Sequence, residues 1–216
     1  MRVYQNKGSL NCYKIRLALA HLGTKYETVW ISSVEGEGDK ADYRKKNPSG
    51  LVPLLETEDG QLLPESNAIL MYLGEGSPLV PAGRLEHARV LQWLFFEREH
   101  LGPYVQALKI VALQLKMRHG YLHRKIWNQS FPDGYHALGV MEARLQESPF
   151  LAGSSFTMAD VGIYSYAHVM PEIGYDLAKY PATTGWLDRC QAQPGHISRT
   201  DGVGHHDIME KLGNAP

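Results

Sequence analysis

The alternation of apolar and polar positions changes character near residue 75. Before that point short β-rich runs alternate with helical patterns. Residues 3–5 read as a strand, and Asn6-Lys7-Gly8-Ser9 as the turn after it. From 11 to 22, Ile15, Leu17, Leu19 and Leu22 are interleaved with alanines in a helical pattern that Gly23 stops. Residues 26–31 are rich in β-branched and aromatic side chains and predict a second strand. Residues 36–46 are polar and weakly helical, and Asn47-Pro48 ends them because proline disfavours helix at the residue before it. Two short strands come next at 52–56 and 61–63, joined by a Glu58-Asp59-Gly60 turn, and 65–73 closes the segment as a helix. The order βαβαββα predicts an α/β domain in which the first two strands are parallel and the hairpin adds an antiparallel pair.

The second part carries almost no strand signal. Residues 84–117 form one long helical pattern with a disturbance at Gly102-Pro103, and further helices are expected at 134–147, 157–170 and 181–193. The Gly- and Pro-rich stretch 74–83 reads as a connector. We therefore expect a first domain over 1–75, a linker over 76–84 and an all-α bundle over 85–216, with the Gly- and His-containing tail after Pro194 loosely ordered.

Composition narrows the class without naming the chemistry. The chain has 216 residues, with Lys+Arg 22 against Asp+Glu 23 and a net charge of −1. That balance gives no global basic field for nucleic acid and no polybasic patch for a membrane. No run approaches the length needed to span a bilayer. The segment 1–7 lacks the apolar core of a signal peptide, and two cysteines, Cys12 and Cys190, make no disulfide framework. A reducing, cytoplasmic setting is the expectation.

Two constellations can carry chemistry. The first is Asn47-Pro48-Ser49-Gly50-Leu51-Val52-Pro53-Leu54-Leu55 with Glu65-Ser66 at a helix start. A proline opening a strand cannot donate to the ladder. A cis Val52–Pro53 bond would turn the Val52 N–H and C=O outward, free to pair with an extended peptide-like ligand. At a helix N-terminus, backbone amides and the dipole favour a carboxylate. The Ser66 hydroxyl adds a hydrogen bond and the Glu65 carboxylate suits an ammonium, so the two together fit an α-amino-acid head group. The competing reading is a capping role and nothing more. The second constellation is Gly8-Ser9-Leu10-Asn11-Cys12 at the first helix start. A hydroxyl there can donate to a thiolate and lower a thiol's pKa from about 8.5. Here the competing readings are an N-cap serine and a low-pKa protein nucleophile at Cys12.

Together these features resemble the glutathione transferase family along essentially the whole chain, through about residue 196, with the Ser-Leu-Asn-Cys-Tyr-Lys-Ile-Arg start similar to its serine-type, theta- or zeta-like bacterial members. Further along, Thr157 and Asp160, with Phe156 and Val161, resemble the family's buried capping box and hydrophobic staple. The resemblance implies an N-terminal α/β thioredoxin-like domain that binds glutathione, then an all-α helical bundle. It implies that Ser9 activates the glutathione thiol, with Asn11 close enough to reach the sulfur. It implies that Val52 pairs through its backbone with the cysteinyl part, that Pro53 is the cis proline, and that Glu65 and Ser66 hold the γ-glutamyl end. Lys40 is the candidate for the glycine carboxylate. Gln5 stands about where tyrosine-type members carry their catalytic tyrosine, and Tyr4 faces the other side of its strand, as core or surface.

The implied mechanism has the glutathione thiolate attack a small hydrophobic electrophile, with no protein nucleophile and no metal. His100, Tyr104 and Leu108 are spaced to share one helical stripe, and Tyr104 is the candidate on the electrophile side. Tyr164 and His168 are expected in the bundle. Leu91, Trp93, Leu94 and Phe95 lie where the family forms a homodimer. His119 and His123 have ligand spacing without a third partner, and His205-His206 is expected to be solvated. Other readings stay open on the same fold: a glutathione-dependent peroxidase or isomerase, or a non-catalytic binding or assembly module.

Overall fold

A computed structural model describes residues 1–33, 35–115 and 121–203, with side chains described except at 109–127 and 129. The chain divides into two compact units. One is Met1–Ser77 with the segment that begins at Pro194, and the other is built on Pro78–Gln193.

The first unit contains β1 (Arg2–Gln5), α1 (Leu10–His21), β2 (Glu27–Trp30), a 3-10 turn at Glu37–Asp39, α2 (Ala41–Lys46), β3 (Leu54–Glu56), β4 (Leu62–Pro64) and α3 (Ser66–Gly74). The sheet order is β2-β1-β3-β4, with β1 parallel to β2 and both hairpin strands antiparallel to their neighbours. This is the expected thioredoxin-like βαβαββα arrangement. Its register sets Val29, Tyr4, Leu54 and Pro64 in one row across the four strands. The residues just beyond that row are 6–9, Val52-Pro53 and Glu65-Ser66, so three loops far apart in sequence emerge along one sheet edge.

Helix α1 is enclosed almost all round. Apart from Asn11, every residue from Leu10 to Leu19 is buried, Lys14 and Arg16 included. Polar side chains in such a helix must find partners inside the protein, and this accounts for a difference from expectation in the tail. Residues 194–203 are not loose. They lie on α1, where Tyr13 Oη donates to the Ile197 carbonyl at 2.8 Å and an Arg16 guanidinium nitrogen donates to the Arg199 carbonyl at 3.1 Å. His21 Nδ1 meets the Pro194 carbonyl at 2.8 Å. The backbone of this segment supplies acceptors that α1 cannot find in water.

The second unit contains α4 (Arg84–Phe96), a π turn at Glu97–Leu101, α5 (Gly102–Leu115), α6 (Tyr121–Glu147), α7 (Met158–Ala167), a 3-10 turn at Pro171–Ile173 and α8 (Pro181–Gln191). The sequence pattern predicts a helical stretch from residue 84 that is unbroken except near Gly102. Instead the hydrogen-bond register widens over the five residues of the π turn and closes again at Gly102. Helix α6 is expected from 134 but begins at Tyr121 and passes through Pro132. Gly134 leaves room there for Tyr175, whose hydroxyl donates to the Phe131 carbonyl at 3.1 Å. Helix α7 is buried along its entire length. Thr157 caps it, with Asp160 completing the expected capping box. The Glu142 carboxylate of α6 accepts from the Ala182 and Thr183 amides at 3.0 and 2.8 Å, placing negative charge at the start of α8. Among the described residues, no helix is long and apolar enough to cross a membrane.

Candidate functional site

Ser9 is the N-cap of α1, in extended backbone, and its Oγ accepts from the Cys12 amide at 3.3 Å. The cap places the hydroxyl beside the first amides of α1, which have no partner within the helix. The hydroxyl rotor can turn its proton to an acceptor brought to this edge. Cys12 lies directly behind it, fully buried. The Asn6 amide donates to its Sγ at 3.3 Å, yet burial dominates and pushes the thiol up, against the opposing pull of Ser9, Asn6 and Arg16. That removes Cys12 as a low-pKa nucleophile. Cys190, equally buried, is pushed up for the same reason.

Asn11 and Ser66 are brought together: Ser66 Oγ donates to Asn11 Oδ1 at 3.1 Å. A third residue, not foreseen from the sequence, joins them. The Lys14 ammonium donates to Ser66 Oγ at 3.2 Å and to Asn67 Oδ1 at 2.8 Å, and Lys14 is 0% exposed. The available signal was its setting. Between Leu10 and Leu19 the polar residues fall on opposed sides of the helix, so no single solvated face can hold the lysine.

Glu65 is the N-cap of α3 with φ 71° and ψ 110°, the only non-glycine residue at positive φ among the described residues. Its side chain is exposed and makes no capping hydrogen bond. The purely structural explanation, an acid kept to cap the helix, therefore fails here. A non-glycine residue in this sparsely populated region costs roughly 1–3 kcal/mol and is characteristic of ligand-contacting sites.

The Val52–Pro53 bond is cis. Pro53 is buried and Leu54 begins β3, while Val52 packs its side chain on the Tyr4, Tyr43 and Leu54 cluster. Neither the N–H nor the C=O of Val52 is hydrogen-bonded among the described residues, an uncommon state for backbone beside a sheet.

The remaining candidates have other partners. Lys40 is 61% exposed and paired with Glu37 at 3.3 Å. Gln5 is buried between Thr28 Oγ1 and the Arg16 guanidinium, at 2.9 and 3.2 Å. The Tyr4 hydroxyl donates to Glu56. In the helical unit, His100 is exposed, Tyr104 half-buried and Leu108 fully buried. His100 lies within the π turn, whose wider register offsets it from Tyr104 and Leu108, which remain one turn apart on α5. Tyr164 stacks on His168, with centroids 5.1 Å apart, inside the bundle. Trp93 and Leu94 are buried, whereas Phe95 is 68% exposed. The described residues hold no cluster of three metal-ligating side chains. The spacing of His119 and His123 and the pair His205-His206 fall outside the described side chains.

An α/β unit of thioredoxin-like strand order, joined to an all-helical unit, defines the fold class. Family models agree. Residues 8–75 match the glutathione S-transferase N-terminal domain and residues 111–194 the C-terminal domain. A glutathione S-transferase structure from Pseudomonas fluorescens is 38% identical, covering 93% of this chain and 98% of that one with a TM-score of 0.87. A glutathione transferase from Phanerochaete chrysosporium, in complex with oxidised glutathione, is 26% identical over 90% of this chain and 91% of that one, TM-score 0.80. The disulfide-bond oxidoreductase YfcG of Escherichia coli is 27% identical, covering 85% of this chain and 87% of that protein. The chain belongs to the glutathione S-transferase family.

Proposed function

We propose that the protein is a glutathione transferase whose thiol substrate lies extended along the edge formed by residues 6–9, 52–53 and 65–66. The observation that carries this reading is the unpaired Val52 backbone on that edge, a donor and an acceptor able to pair with one residue of a peptide. The α-carboxylate of the γ-glutamyl residue meets the Ser66 hydroxyl and the first amides of α3, and its ammonium meets Glu65. This accounts for an acid at a helix cap that makes no capping bond. The cysteinyl sulfur falls to Ser9, Asn11 and the first amides of α1. Donation to the sulfur favours the ionised form. The thiol proton leaves to solvent, the thiolate forms a bond to an electrophilic carbon, and the leaving group departs with the bonding electrons. Lys40 remains the candidate for the glycine carboxylate and Tyr104 for the electrophile side. The reading carries with it a homodimer and a cytoplasmic setting.

The test is calorimetry with glutathione and with S-hexylglutathione on the unaltered chain and on Ser9→Ala. The unaltered chain binds both. Ser9→Ala keeps glutathione affinity within about threefold, raises the pKa of the bound thiol by about one unit, and lowers turnover at neutral pH roughly tenfold. No binding to either ligand refutes the reading, and an unchanged rate removes Ser9 from its role.

A second reading is favoured by the likeness to a disulfide-bond oxidoreductase together with the inaccessibility of Cys12. The same bound thiolate attacks a disulfide, forming a mixed disulfide and releasing one thiol. A second glutathione thiolate then attacks that mixed disulfide, releasing the other thiol and leaving oxidised glutathione. Parallel rates with an aryl halide, hydroxyethyl disulfide, a hydroperoxide and a maleyl acid separate the transferase, disulfide, peroxidase and isomerase activities.

A further inference from the structure

We propose that Lys14 is a positioning residue for the carboxylate end of the ligand, acting through Ser66 and the start of α3. The inference rests on the reading of Glu65-Ser66 as the γ-glutamyl end.

Lys14 is wholly enclosed, and its ammonium reaches the first two residues of α3, Ser66 at 3.2 Å and Asn67 at 2.8 Å. The N-terminus of a helix already carries positive potential, so a cation placed there opposes helix stability. An anion docked on the same helix end reverses the sign of that interaction.

The hydrogen-bond chemistry points the same way. An ammonium has donors only, so Ser66 Oγ must accept from Lys14. The Ser66 proton is then directed elsewhere, to Asn11 Oδ1 at 3.1 Å in this structure. Lys14 thus fixes Ser66 as a donor toward its remaining neighbours, which is the polarity a carboxylate requires. A carboxylate oxygen accepting from Ser66 would lie within about 6 Å of the ammonium, taking the 3.2 Å contact plus an O–H···O separation of about 2.7 Å. Salt screens a buried charge of this kind poorly.

The test compares two peptides on the full chain: glutathione, and 4-aminobutanoyl-cysteinyl-glycine, which lacks only the α-carboxylate. Two variants are used. Lys14→Met removes donor and charge, and Lys14→Gln removes the charge but keeps a donor. Thermal melts establish which variants fold, and the ratio of affinities is read on those. The unaltered chain should prefer glutathione, and the variants should lose about ten- to hundredfold on glutathione and less than about twofold on the truncated peptide. Lys14→Arg should retain most of the preference. A variant that weakens both peptides equally, or keeps the preference intact, overturns the role of Lys14 and leaves it a structural tie. If the unaltered chain binds glutathione without preferring it to the truncated peptide, the carboxylate assignment fails and the proposal with it. If it binds neither peptide, the site reading itself has failed.

Discussion

Asp160→Ala is expected to be among the most damaging single substitutions in the helical unit. The carboxylate is 0% exposed. Its Oδ1 accepts from the Leu151 amide at 3.0 Å and from Trp186 Nε1 at 2.9 Å. Its Oδ2 accepts from the Thr157 amide at 2.9 Å and the Thr157 hydroxyl at 3.2 Å. One side chain therefore ties together the loop before α7, the first turn of α7 and the indole of α8. Alanine leaves three buried N–H donors without an acceptor, each worth about 1–3 kcal/mol, while the Thr157 hydroxyl can turn away. Burial pushes the carboxyl up, so part of that loss is offset by no longer enclosing the group. The net loss is about 4 kcal/mol, a large share of the roughly 5–15 kcal/mol that holds a typical domain. Asp160→Asn keeps one carbonyl oxygen for two of the donors but turns an NH2 toward the others, and should cost about half as much. Urea unfolding monitored by tryptophan fluorescence measures both. A loss under about 1 kcal/mol for alanine, or asparagine worse than alanine, would refute the idea that satisfied donors are what make this residue necessary.

Three further outcomes are expected. Burial lowers the folded-state pKa of both His21 and His196, and for His196 the nearby His21 lowers it further. Above the ordinary histidine value of about 6.5 both are neutral in either state. As pH falls through that value the unfolded chain takes up protons that the folded chain resists, so stability declines. Hydrogen-exchange protection factors at 195–203, corrected for the intrinsic rate at each pH, should fall between pH 7 and pH 5, and unchanged protection would count against this. Glu65→Gly should raise stability by about 1 kcal/mol by relieving a positive φ, while weakening glutathione binding. Melting and calorimetry together check it, and a melting temperature that falls would show that no strain is held there. Finally, a disulfide reagent should label neither Cys12 nor Cys190 until denaturant is added, because both are buried with thiols pushed up. Rapid labelling of the folded chain would contradict that.

How much of this was legible in the sequence depended on how local the cause was. The βαβαββα order could be read because each element carries its own periodicity and its own turn residues, and strand ends moved by only a residue or two. The box at Thr157 and Asp160 is a four-residue signature and was equally legible, although the Trp186 and Leu151 partners of Asp160 were not, since they come from distant positions. Ser9, Val52, Glu65 and Ser66 could be placed on one edge only once strand register was known. The π turn at Glu97–Leu101 is marked in the sequence only by Gly102-Pro103 just after it, because it is a change of hydrogen-bond partner rather than of residue type. The packing of 194–203 is invisible locally because its attraction resides in α1, nearly two hundred residues earlier.

Helix α1 shows why Lys14 was missed and how it can be distinguished from an ordinary surface lysine. Asn11 and Lys14 are three residues apart and so lie on one face, and both are tied to the start of α3. Tyr13 and Arg16 are also three apart, and both hold the carbonyls of 197–199. The two pairs are offset by two residues, about 200° around the helix, which puts them on opposite sides. The apolar residues between them, Ile15 and Leu19 on one flank and Leu10 and Leu17 on the other, are all buried. A helix with an ordinary wet face gathers its polar residues into one stripe. Here they fall into two opposed stripes with apolar residues on both flanks, a pattern that no single solvent boundary can satisfy. Two polar stripes on opposite sides of one helix require two internal partners: the start of α3 for one, and the terminal segment for the other.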